Sequence, residues 1–353
     1  LLKTNYGLCR NSVNCSLSDN LRFLLVFLVL VGWSSMSMAQ EPFLLDTVNP
    51  LAHARALRCA KGMVYLGDNL GRCFSYNSIT GELKVLNVQN LEIRDVEVNQ
   101  CGILWMQTGD SGKVFHHTKS DPILFPKPEG KSVFFDGFAV KDSLVFIMGD
   151  PVNGEFQVYL SYNFGRQWIP VKGLKAFEGE AAYAASGTTV QIQDKTLYFV
   201  TGGTHSRIFI GKKWGKRWKS YNIPFASGEG EGAYSFCAID RKHFVAVGGN
   251  YQFPERRSRV CFTSSNGGKT WKESTVPPMG YRSCVIHFQG VTFACGTNGL
   301  DFSTDGGQHW TAWKQGNFLA MDVSENEQLW ITLNRNLGLL QLEPVRMAVL
   351  IKN

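Results

Sequence analysis

Apolar and polar residues alternate along most of this chain in short runs, and each run is cut off by Gly, Asn or Asp. The stretch FFDGFAVKDSLVFIMGDPVNGEFQVYLSYNFGRQWIPV (134–171) shows the unit most clearly. Its period-two alternation predicts four strands, 134–139, 143–148, 155–161 and 168–171, separated by tight turns. The same unit recurs from about residues 182, 233 and 281, with weaker copies near 55 and 93. A last unit, FLAMDVSENEQLWITLNRNLGLLQLE, has only three strands, and the segment PFLLDTV (42–48) supplies a fourth. Consecutive four-stranded units of this length predict an all-β, seven-bladed β-propeller over residues 40–344, its ring closed by the N-terminal strand. No helical period interrupts it, and FASGEGEG (225–232) reads as a loop between blades.

One turn is repeated with its chemistry intact. SYNFGRQW (161–168), SSNGGKTW (264–271) and STDGGQHW (303–310) share the form Ser-x-Asp/Asn-x-Gly-x-x-Trp, and GKKWGKRW (211–218) is a decayed copy. In the first three, Ser161, Ser264 and Ser303 are followed by Asn163, Asn266 and Asp305, whose side chains suit hydrogen bonding to the turn backbone. Gly165, Gly268 and Gly307 tolerate positive φ, and Trp168, Trp271 and Trp310 return the chain to a strand. The decayed copy keeps Gly215 and Trp218 but places Lys213 where the acid or amide stands. A catalytic carboxylate would not tolerate that exchange, so the box is read as a structural turn.

Composition agrees with a well-packed β protein: 44% of residues are apolar, and 24 Phe, 11 Tyr and 9 Trp favour strands. The first 39 residues are read separately, as a signal peptide with an upstream extension. Arg22 precedes the apolar run 23–33, and Ser37-Met38-Ala39 forms a cleavage site before Gln40. The expected mature protein is exported, has no membrane span, and acts as a monomer. Without Lys3, Arg10, Arg22 and Asp19 it keeps 33 basic and 28 acidic residues, a net charge of +5. Its main basic run, GKKWGKRWK (211–219), is too sparse for a nucleic-acid footprint and reads as a solvated blade edge. Seven mature cysteines at 59, 73, 101, 237, 261, 284 and 295 follow neither a disulfide framework nor a zinc spacing. The apolar tail 345–353 has no assigned place.

The boxes resemble the Asp-box repeat of bacterial neuraminidases. Together with MGDPVNGEF (148–156), GEAAYAASGT (179–188), VTGGTHSRIF (200–209), AVGGNYQ (246–252), GYRS (280–283) and GTNGLDFSTDGGQHW (296–310), they make residues 40–343 similar to secreted seven-bladed proteins of Bacteroidota. A more distant similarity is to the photosystem II stability/assembly factor family. The resemblance implies a propeller with boxes on the outer hairpins, away from any ligand, and implies no single activity. Family members labelled oxidoreductase would need a cofactor motif, and GEGEG (228–232) has neither dinucleotide-binding spacing nor a following helix. No cofactor or metal is therefore expected: His116 and His117 point to opposite faces of a strand, and the other histidines are isolated. A sialidase would show an Arg-Ile-Pro signature, which is missing, and three converging arginines, for which only Arg55 or Arg58, Arg207 and Arg282 offer themselves.

Candidate ligand-binding residues lie where the inner strands meet their loops: Asp136, Asp150, Glu180, Ser186, His205, Asn250, Tyr251, Arg282 and Asn298. Most sit in Gly- and Pro-rich turns whose polar groups also suit bracing their own backbone. Arg282 and Glu180 stand out, since a charge in a strand context needs a partner. The first functional reading is a non-catalytic binding or assembly module for a protein, peptide or glycan. The alternative is a glycosidase-like enzyme using Asp136, Asp150 or Glu180 as acid and base across the channel.

Overall fold

The structure, a computed structural model, describes residues 42–342 apart from 89–90, 100–101, 108–111, 117–121, 124, 127 and 129–130. The expected signal segment, the 345–353 tail, Cys101 and His117 lie outside the described residues.

The alternating runs form antiparallel up-and-down sheets. The best-defined unit contains Phe135–Lys141, Leu144–Val152, Glu155–Ser161 and Ile169–Val171, close to the four strands expected from its pattern. Six sheets have four strands, one has three (Ile93–Asn99, Gly102–Gln107 and Val114–His116), and Glu180–Ala181 pairs with Gly202–Gly203 as a short ribbon. Six complete blades thus replace the seven expected. The unit from 93 has no box to punctuate a fourth strand, and among the described residues beyond His116 only Ile123 bridges back to Val114. In the last four-stranded sheet, Phe43 and Leu44 pair with Leu339 and Gly338.

The first strand of each sheet packs beside the first strand of the next. The order is Ala54–Ala60, Ile93–Asn99, Phe135–Lys141, Val190–Gln193, Ala233–Ala238, Cys284–Phe288 and Phe318–Val323, and the last returns to Ala54–Ala60. These inner strands surround a channel. Hydrophobic cores fill the space between neighbouring sheets, where Phe146, Phe156, Phe199 and Phe209 are buried and Phe199 stacks on Phe209 with centroids 4.3 Å apart.

A strand lining a channel lacks a β partner on one edge, so its N–H groups need other acceptors. Here a side chain on the neighbouring inner strand accepts them. Asp322 Oδ2 takes the Cys59 N–H at 2.8 Å, and Asp95 Oδ2 takes the Phe138 N–H at 2.9 Å. Gln191 Oε1 takes Ala238 N–H at 3.0 Å, and Ser235 Oγ takes Val285 N–H at 2.8 Å. Asp95 and Asp322 share one geometry, since the second oxygen of each accepts the following N–H, of Val96 or Val323, at 2.9 Å.

The repeated boxes form hairpin turns between third and fourth strands. Ser303 Oγ donates to Asp305 Oδ1 at 2.8 Å and accepts the Gly307 N–H at 2.9 Å. Asp305 Oδ1 also accepts the N–H groups of Gln308 and His309, both at 3.0 Å, and Trp310 Nε1 donates to Gly307 O at 3.0 Å. Asn266 reproduces the arrangement by accepting Thr270 N–H at 3.0 Å, and Asn163 accepts Gln167 N–H at 2.9 Å. In the decayed hairpin the Trp218 ring lies against Gly211 instead, and the Gly211 cap of Lys212–Gly215 makes no side-chain hydrogen bond.

Since amides serve in two of the boxes, Asp305→Asn is expected to leave stability within about 0.5 kcal/mol of wild type, whereas Asp305→Ala loses about 1–2 kcal/mol, as at a helix cap. Paired urea unfolding curves check this; equal losses in the two variants would contradict it.

Candidate functional site

A β-bulge places one side chain at the start of five inner strands. Pairing registers skip Arg55 between Ala54 and Ala56, Arg94 between Ile93 and Asp95, and Tyr234 between Ala233 and Ser235. They also skip Asp136 between Phe135 and Gly137, and Leu319 with Ala320 between Phe318 and Met321. A bulge re-aims a side chain that regular alternation would send elsewhere. Arg55, Arg94, Tyr234 and Leu319 line one cavity of about 480 Å³, with Tyr183, Tyr251, Tyr281, Ser283, Thr297 and Asn334. The cavity is the mouth of the channel at the end where the inner strands begin.

Two guanidinium groups share one carboxylate there. Arg94 Nη2 lies 2.8 Å from Glu92 Oε2, and Arg55 Nε lies 3.6 Å from Glu92 Oε1. Arg94 Nη1 also donates to Ala184 O at 3.2 Å. The Nε–H groups of both arginines lack a hydrogen-bond acceptor, while the side chains remain 27% and 25% exposed. Burial lowers the Arg94 pKa, with Glu92 opposing. Asp136 holds the equivalent bulge position, and its buried Oδ2 has no hydrogen-bond partner. Burial first, and then the nearby Asp150, push its carboxyl well above the usual range, with Arg94 offsetting in part.

The facing wall is aromatic. Tyr183 and Tyr234 stack with centroids 4.0 Å apart and planes 6° apart, and Tyr281 meets Tyr234 edge-on at 4.8 Å. Their polar ends are fixed in turn, Tyr183 Oη donating to Glu231 O at 2.9 Å and Tyr234 Oη to Gly230 O at 2.8 Å. Tyr251 completes the wall at 52% exposure, on the loop 249–260. That loop is held by Arg256 against Glu231 and by Arg257 Nη2 donating to Pro277 O at 2.8 Å.

Of the nine candidate ligand residues, only Tyr251 lines the mouth. Glu180 is buried and saturated by the Arg207 guanidinium (2.6 and 2.8 Å), Thr201 Oγ1 (2.6 Å) and Phe177 N–H (3.0 Å). Arg282 is fully buried against Asp301, with Nη1 also donating to Tyr281 O at 2.8 Å and to Asn298. Breaking such a buried pair costs about 3–5 kcal/mol, so both candidates act in holding adjacent strands and loops together. Glu180 and Arg282 pair within their own neighbourhoods and not with each other. Asn298 Nδ2 staples the loops through Pro254 O (3.0 Å) and Met279 O (2.9 Å). Asn250 ties Glu231 to Glu229 O, and Ser186 Oγ donates to Ser283 O at 2.8 Å. His205 stacks on Phe177 at 4.1 Å on the surface. Asp150, which accepts the Ala182 N–H at 3.0 Å, lines with Glu180 a separate groove of about 560 Å³. Arg94, Tyr183, Tyr234 and Tyr281 were missed. For Arg94 and Tyr234 the signal was the residue after the first apolar position of each inner strand, in ARAL, IRDV, FDGF, AYSF and FLAM; Tyr183 and Tyr281 lie in loops and carried no such signal.

Deeper in the channel, Arg58 bridges Glu97 and Asp322, the latter at 3.5 Å, with Asp95 beside them. Three carboxylates around one guanidinium cannot all ionise cheaply. Burial pushes Asp95 up to about 7 and Glu97 up to about 8, Arg58 pulling against it in both. The six described cysteines are free thiols, and no group of three potential metal ligands occurs among the described residues.

No protein-family model matches the chain, and neither does any curated protein. Solved structures do share its fold. The WD40 β-propeller domain of Doa1 superposes with a TM-score of 0.59 at 10% identity, covering 86% of this chain and 97% of that one. The Neurospora crassa Pan2 WD40 domain gives 0.56 at 13%, covering 84% and 90%. The computationally designed Ika8 protein gives 0.55 at 10%, covering 86% and 100%. At these identities the likeness establishes a β-propeller and nothing about activity.

The carboxylate cluster makes stability depend on pH. With both acids raised, the folded chain retains protons that the unfolded chain loses above about pH 4. The contribution is complete below that pH and is lost as pH rises through about 7 for Asp95 and about 8 for Glu97. Glu97→Gln is therefore expected to flatten the fall in melting temperature between these limits, measured by calorimetry across pH; an unchanged slope would count against the cluster.

Proposed function

We propose that the chain is an exported, non-catalytic β-propeller that binds a protein, peptide or glycan at its channel mouth, through an anionic group on the ligand. The observation that carries this reading is the pair Arg55 and Arg94, two partly exposed cations that share one carboxylate and line the mouth beside a wall of tyrosines. A carboxylate suits two guanidinium groups, and a sugar ring or apolar side chain suits the tyrosine faces. In this reading Phe43–Leu44 closes the ring. The box hairpins brace the outer turns, as in the Asp-box proteins they resemble.

The glycosidase reading finds less support. Glu180 has no free lone pair for proton transfer, and its hydrogen bonds all serve Arg207, Thr201 and Phe177. Asp150 and Glu180 line one groove away from the mouth, and Asp136 is buried, so the three do not face one another across the channel.

Titration calorimetry with oligogalacturonate and with a glutamate-rich peptide tests the proposal. Wild type is expected to bind at least one of them, and Arg55→Gln/Arg94→Gln to lose about ten- to a hundredfold in affinity, the worth of one or two charge-assisted hydrogen bonds. Equal binding by the double variant would refute a role for the arginines.

A further inference from the structure

In an up-and-down sheet the turns alternate between the two ends. The hairpins joining third to fourth strands therefore lie at the end opposite the channel mouth, with the turns joining first to second strands. At that end the fourth repeated hairpin departs from its siblings. Where they place an Asp or Asn that braces the turn from within, it places Lys213, and the Gly211 cap makes no side-chain hydrogen bond. Trp214 is left-handed with φ of 59°, as Phe164 is at the same position of its hairpin (62°), but Lys213 is left-handed as well, with φ of 53°. That conformation is unfavourable for a bulky residue, and strain of this kind persists where something else depends on it.

The strained turn carries charge. Lys212, Lys213, Lys216, Arg217 and Lys219 are exposed on this one hairpin, and Lys195 joins them, its carbonyl accepting the Trp214 N–H at 2.8 Å. Among the described residues none of the six forms an ion pair, although most of the arginines there do. Cations on an outer strand also guard a sheet edge against pairing, which accounts for Arg217 and Lys219. It does not account for the three lysines of the turn. Beside them Tyr162, 41% exposed, donates its hydroxyl to Trp214 O at 2.8 Å.

We infer that this hairpin docks the propeller onto an anionic lipid surface. Charge complementarity selects the partner. Lysines are compact, hydrated charges suited to a diffuse field of headgroups, whereas recognition of an ordered phosphate pattern favours arginine forks, and only one arginine is present. A polar-tipped aromatic at the rim suits the headgroup layer. Docking there would leave the mouth facing away from the membrane, free for its own ligand.

The test is co-sedimentation with phosphatidylcholine vesicles, with and without phosphatidylglycerol. Wild type is expected to sediment only with the anionic vesicles and to be released by high salt. Each cation near such a surface contributes about fivefold in partitioning, so Lys212→Gln/Lys213→Gln/Lys216→Gln/Arg217→Gln is expected to fall about a hundredfold or more. Replacing the same lysines by arginine should restore binding, and Arg55→Gln/Arg94→Gln should leave it intact, which separates this surface from the mouth. No sedimentation with anionic vesicles at low salt would overturn the inference. So would undiminished binding by the glutamine variant, or capture by duplex DNA or heparin with none by vesicles.

Discussion

The unpaired inner edge of the ring is the constraint on which the rest of the structure depends. Each channel-lining strand exposes N–H groups that no strand can reach, and a buried donor left without a partner costs about 1–3 kcal/mol. The chain resolves this with acceptors carried on the neighbouring blade, Asp322 to Cys59, Asp95 to Phe138, Gln191 to Ala238 and Ser235 to Val285. Each of these bonds satisfies a donor and fixes one blade relative to the next. Hydrophobic packing between the sheets supplies the larger share of the energy, but it is non-directional and would tolerate sliding. The acceptors remove that freedom.

Fixed inner strands make the bulges useful. A bulge displaces a side chain from the regular alternation, and it presents that side chain reproducibly only if the strand on either side is held. Asp95 follows the bulged Arg94 directly, so one residue braces the ring while its neighbour faces the mouth. The resulting cavity combines two cations, a single shared carboxylate and three packed tyrosine rings, one from an inner strand and two from loops. At the opposite end the hairpins are closed by local turn chemistry, and the one that abandoned it is the most cationic. The two ends thus differ in shape and chemistry, one a concave mouth lined by tyrosines and the other a charged rim.

Much of the architecture was legible because it is encoded locally. Alternation over five or six residues marks a strand wherever it lies, and Ser-x-Asp-x-Gly-x-x-Trp specifies a turn whose hydrogen bonds all fall within eight residues. The unit from 93 was harder, since it lacks that punctuation. The site was less legible, because a side chain's direction there depends on register across two strands. Arg282 and Glu180 drew attention as charges in apolar company, yet their partners Asp301 and Arg207 stand 19 and 27 residues away and consume them. Arg94 attracted no attention, because alternation alone does not announce a bulge. Only the recurrence of one displaced position across five repeats would have shown it.

Hydrogen exchange on Asp95→Ala tests the link between brace and site most directly. If Asp95 holds adjacent blades in place, the Phe138 amide should exchange orders of magnitude faster in the variant while amides between the second and third strands of the same sheet stay protected. The variant's affinity for anionic ligands at the mouth should fall together with that protection. An unchanged Phe138 exchange rate, or full ligand affinity despite its loss, would contradict the dependence of the mouth on the inner edge.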